Sequence, residues 1–137
     1  MNRKIWKALG IAVCMLALAA PRAMAVKREV RSDDDFKKAV QEINAAGDEK
    51  NEIVLMQDIT LEDDYILTNS KKTPNKTTTI KGNNHTLRGG SNATIAVTGN
   101  GTVLNLGEEN YTETLTIEGD ENAEYTDILL DISGGQL

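Results

Sequence analysis

The sequence predicts an all-β chain, a fragment of a β-solenoid, with an amphipathic helix capping its amino-terminal end. Three observations carry this. One helical period occurs, over residues 32–46. From Glu52 onward the apolar period drops to two, with Gly, Asn and Asp at intervals. A motif of β-branched residue, one residue, then glycine recurs at Ile80-Lys81-Gly82, Val97-Thr98-Gly99, Ile117-Glu118-Gly119 and Ile132-Ser133-Gly134, in steps of 17, 20 and 15 residues.

Residues 1–25 form a cleavable secretory signal. Arg3, Lys4 and Lys7 give a basic start, Ala8 to Ala20 is an apolar run of 13 residues, and Ala23-Met24-Ala25 supplies a small-x-small cleavage site after Pro21. The run is short of the roughly 20 residues a membrane span needs. Secretion or residence in the cell envelope follows, with cleavage after Ala25. Cys14 lies within the signal behind Val13, an arrangement unlike that of a lipid-anchored cysteine, and it leaves the mature chain no disulfide framework. Loss of Arg3, Lys4, Lys7 and Arg22 takes the formal charge from −6 to −10. So acidic a chain is expected to avoid nucleic acid and, once the signal is removed, membranes. With Phe36, Tyr65, Tyr111 and Tyr125 its only aromatics, the mature chain is also poor in rings on which sugars stack.

Residues 26–51 hold a short extended lead-in, Val26 to Arg31, and the capping helix. Ser32 is the N-cap, and Asp33, Asp34 and Asp35 place negative charge in the first turn, where the helix dipole favours it. This explains the aspartates better than metal binding does. Phe36, Ala39, Val40 and Ile43 make one apolar stripe, and Gly47 is placed to stop the helix.

Residues 52–137 are the rungs. Glu52 to Leu61 reads as a strand interrupted near Gln57-Asp58, Tyr65 to Leu67 as a further short piece, and Asn69 to Lys76 as a polar surface loop. The glycine motif extends past its turn, since NNHTL at 83–87 aligns with NGTVL at 100–104. Upstream by 26 residues, Asp58-Ile59-Thr60-Leu61 aligns with Asn84-His85-Thr86-Leu87. Strands this short do not stand as isolated hairpins, but stacked coils pair each with its equivalent above and below. Corners need residues that accept left-handed backbone angles, and asparagines there can exchange amide hydrogen bonds between layers.

The order DDDFKKAVQEINAAG, EIVLMQDITL, TTTIKGNNHTL resembles the amino-terminal cap and first rungs of exported right-handed parallel β-helix proteins of the pectate-lyase-like superfamily, over roughly Ser32 to Leu104. The resemblance implies a fold more than an activity, because that superfamily includes lyases, hydrolases, adhesins and autotransporter passengers. The chain ends at Ile132-Ser133-Gly134-Gly135-Gln136-Leu137, inside a repeat, so the rungs read as incomplete. The uncapped end is expected to self-associate or to pair strands.

A lyase of this kind would hold calcium on carboxylates and use a basic residue to remove a proton. The candidate ligands are Asp58, Asp63, Asp64, Glu108, Glu109, Glu113, Asp120 and Glu121; the candidate bases are Lys81 and Arg88. The acids are scattered without regular spacing and read as solvated surface charge. His85, the lone histidine, reads as an edge residue beside a turn. Gly89-Gly90-Ser91-Asn92-Ala93-Thr94 lacks the aspartate and the recurrence of a calcium-binding glycine repeat. Asn75, Asn84, Asn92 and Asn110 open Asn-x-Thr sequences, which matter only in a host that glycosylates. No residue is assigned a catalytic, cofactor or metal role. The expected function is that of an exported, non-catalytic, adhesin-like surface protein, or a piece of one, meeting extracellular polysaccharide or protein. The alternative is the amino-terminal remnant of a polysaccharide lyase or glycoside hydrolase.

Overall fold

A computed structural model describes residues 24–91, 93–107, 112–119, 130–133 and 135. The elements in chain order are β1 (Val26–Val30), α1 (Asp33–Ala45), β2 (Lys50–Leu55), β3 (Ile59–Leu61), β4 (Tyr65–Thr68), β5 (Lys76–Lys81), β6 (His85–Gly89), β7 (Ile95–Thr98), β8 (Thr102–Leu106), β9 (Leu115–Glu118) and β10 (Leu130–Ser133). No described helix is long and apolar enough to cross a membrane.

The strands form three sheets. Sheet A has the order β1-β2-β5-β8, sheet B has β3-β6-β9, and sheet C has β10-β7-β4. Every pairing between these strands is parallel. From β2 onward the chain visits A, B and C in strict rotation three times. Each sheet therefore gains one strand per cycle, and like strands stack in layers. Ile53, Ile80 and Leu106 line up in sheet A, Ile59, Leu87 and Ile117 in sheet B, and Tyr65, Ile95 and Leu130 in sheet C.

The layer interval is thus 26 to 30 residues in most places, not the 15 to 20 that separates the glycine motifs. Those motifs fall at the ends of β5, β7, β9 and β10, in sheets A, C, B and C. They mark corners, and a layer has three. The pairing of NNHTL with NGTVL fails for the same reason, since these segments belong to β6 in sheet B and β8 in sheet A. The 26-residue alignment finds the correct sheet but misses by two, because Ile59 lies beside Leu87. A slip of two preserves which side chains face inward, so the apolar pattern alone could not reveal it.

The core is a stack of inward side chains. Ile53, Leu55, Leu61, Ile80, Leu87, Val97 and Leu104 are fully buried. Each such residue contributes about 1.5–3 kcal/mol on leaving water. Helix α1 adds Phe36, Ala39, Val40 and Ile43, all buried, and packs over β1 and over β2, β3 and β4, the first complete layer. Phe36 and Tyr65 meet edge to face, with ring centroids 5.1 Å apart.

Ser32 caps the helix as its sequence position demands, its hydroxyl accepting from the Asp35 amide at 3.1 Å. The far end differs from expectation. The helix stops at Ala45, Ala46 turns to extended backbone (φ −74°, ψ 152°), and Gly47 supplies no left-handed turn. The ammonium of Lys76 takes the helix-end carbonyls instead, at 2.7 Å from Ile43 O, 3.0 Å from Ala46 O and 3.4 Å from Asn44 O. The expected surface loop 69–76 is therefore anchored inward at both Thr73 and Lys76, which are buried.

At the corner after β5, Asn83 and Asn84 have positive φ of 51° and 63°. Gly82 serves differently. A Cβ there would lie 2.2 Å from both Leu115 Cα and Thr114 O, so the next layer fits only over a bare backbone. Asn83 donates to Leu55 O at 3.1 Å, and Asn84 Oδ1 accepts from the Thr114 amide at 3.0 Å. The corner asparagines bond to backbone in the layers below and above, in place of the expected exchange between side-chain amides.

Candidate functional site

Side chains alternate along a strand, so outward residues of sheet B that share register form rows across the layers. One row is Thr60, Arg88 and Glu118; beside it stand Thr86 and Thr116. Arg88 donates twice to Glu118 Oε2, at 3.1 Å from Nε and 2.6 Å from Nη2. At the start of the sheet, Asp58 Oδ1 accepts from the Thr86 amide at 2.9 Å and lies 3.3 Å from His85 Nδ1. The Thr86 amide, with His85 and Arg88 adding to it, holds the Asp58 carboxyl below the usual aspartate range.

Three of the candidates read from sequence thus come together at sheet B: Asp58 and Arg88 on its outer side, and His85 beside Asp58 at the start of β6. Each is engaged in bridging layers. The others do not join them. Lys81 pairs with Glu52 at 3.0 Å on sheet A. Asp63 takes Lys37 of α1 at 2.6 Å, an exposed pair that raises the Lys37 ammonium above its usual range. Asp64 and Glu113 are exposed. Glu108, Glu109, Asp120, Glu121, Asn92 and Asn110 lie outside the described residues. Gly89 ends β6 and Gly90 follows it, its amide donating to Leu61 O at 2.8 Å, so the pair serves strand packing. No three acidic, histidine or cysteine side chains among the described residues are grouped to hold a metal ion.

An open groove of about 350 Å³ lies between the start of α1 and the turn into β3. Asp33, Asp34, Asp58 and Glu62 line it against the single cation Arg31. The Tyr65 hydroxyl, largely buried beneath, donates to Asp33, and both its burial and that carboxylate push the phenol well above its usual range.

Sequence reasoning missed the buried polar contacts that hold α1. Arg28 bridges Glu42 at 3.2 Å and Asn51 at 3.1 Å, and Asn51 is buried. Burial pushes the Lys76 ammonium below its usual range, with Asp48 opposing. A lysine at the first inward position of a β-branched strand was the available signal. Family models, curated proteins and solved structures, searched with this chain, contain no match.

Proposed function

We propose that this chain is an exported, non-catalytic, right-handed parallel β-helix protein of the surface, adhesin-like kind. The strict rotation through three parallel sheets is the observation that carries this reading. A parallel strand can follow its predecessor only through a crossover, and such crossovers are right-handed in nearly all proteins. The export signal of residues 1–25 and the resemblance over Ser32 to Leu104 point the same way. The outer face of sheet B is the proposed contact surface for an extracellular polysaccharide or protein. It offers Thr60, Thr86, Arg88, Thr116 and Glu118 in stacked rows, and the candidate acid Asp58 and candidate base Arg88 are each engaged by a different residue of a neighbouring layer.

The purified protein is tested for retention on immobilised glycans and isolated cell envelopes, and for a calcium-dependent rise in ultraviolet absorbance on polygalacturonate and alginate. Saturable retention that falls in the Arg88→Ala variant, with no rise in absorbance, is the expected result. Formation of unsaturated sugars would overturn the non-catalytic reading. Retention unaffected by substitutions on sheet B would overturn the assigned face.

A further inference from the structure

We propose that α1 closes the amino-terminal end of all three sheets to strand addition by a second copy of this chain. The inference uses backbone directions alone and is independent of the surface-binding reading. In sheet C, the Tyr65 amide donates to Thr94 O at 2.7 Å, so residues 65 and 67 of β4 face the neighbouring layer and residues 66 and 68 face away. The two outward groups that flank Leu67 are taken by one side chain: Asn44 donates to Ile66 O at 2.6 Å and accepts from the Thr68 amide at 3.1 Å. A residue of a parallel strand laid beside Leu67 would take the same carbonyl and the same amide. The Asn44 carboxamide stands in for that strand.

The other sheets are met similarly. Leu61 O bonds toward β6 and the next amide, Glu62 N, points away, where Asp33 Oδ1 accepts it at 3.1 Å. Val30 O bonds to Met56 N of the next layer, and the following amide, Arg31 N, is accepted by Asp35 Oδ2 at 3.0 Å. Each acceptor belongs to α1, two in its first turn and one in its last. The remaining edge of β1 carries Lys27 and Glu29, paired at 3.1 Å, and charge disfavours a neighbouring strand there. A second copy is the natural competitor, because its strands pair in parallel and would prolong these sheets head to tail. Such contacts do not close on themselves and would generate open-ended filaments.

Sedimentation velocity across a concentration series compares the wild type with the variant Asp33→Ala, Asp35→Ala, Asn44→Ala. The wild type is expected to keep one species of fixed size, and the folded triple variant to give species that grow with concentration. A triple variant with the wild-type circular dichroism and sedimentation would overturn the proposal, as would open-ended growth of the wild type. If the triple variant loses its β spectrum, hydrogen exchange in Asn44→Ala decides. Thr68 should then exchange about fivefold faster or more, with Leu67 unchanged. The proposal fails if both amides accelerate together or neither does.

Discussion

Asp58 and Lys76 show how single charged groups tie one layer to the next. The Asp58 carboxyl is held below its unfolded value of 3.8, chiefly by the Thr86 amide. A depressed carboxyl stabilises the fold above the unfolded value and ceases to do so as pH falls through the folded one. The stability gap between wild type and Asp58→Ala, measured by urea unfolding, should therefore be full at pH 6 and shrink below about pH 4. A gap independent of pH would show that the Thr86 bond does not depend on the ionised carboxylate. Lys76 spans about 30 residues of sequence to reach the end of α1. Replacing it with Met keeps the apolar stem and strips the helix-end carbonyls of their donor, an expected loss of about 2–3 kcal/mol in urea unfolding.

At the scale of elements, α1 was legible because everything that makes it is local. Ser32, the three aspartates and the stripe Phe36, Ala39, Val40 and Ile43 all sit within one helix length, and the structure buries that stripe. Phe36→Ala, which empties the contact with Tyr65, should cost about 3–4 kcal/mol in thermal or urea unfolding. The helix stops where expected, but the means was misread. Lys76, which takes the carbonyls of Ile43, Asn44 and Ala46, lies in a distant strand that no local rule connects to the helix end. The corners were legible as corners: Asn83 and Asn84 take left-handed angles. The layer interval was not, since a recurring glycine motif says where strands end but not which sheet they enter. Gly82 was read as a turn-maker, whereas its strict requirement comes from Thr114 and Leu115 in the layer above. Gly82→Ala should cost about 2–3 kcal/mol and speed exchange of the Asn84 and Thr114 amides, while the β spectrum is kept. Of the candidate site, sequence supplied Asp58, His85 and Arg88 as separate names. Their proximity depends on a register that inward apolar residues constrain only to within two positions.

For the whole molecule, the central claim is that successive turns of chain stack as parallel layers with the register described above. Cysteine pairs read that register directly, once the natural Cys14 is replaced by serine. Ile66 and Ala96 are in register on the outer face of sheet C, whereas Thr98 stands two residues along the same strand. Neighbouring parallel strands lie about 4.8 Å apart, within disulfide reach, whereas the diagonal exceeds about 7 Å. Oxidation of Ile66→Cys with Ala96→Cys should give a fast-migrating, reductant-sensitive monomer in nearly all molecules, and Ile66→Cys with Thr98→Cys should give little. Efficient closure of the second pair, or failure of both in a protein that keeps its β spectrum, would contradict the layered arrangement.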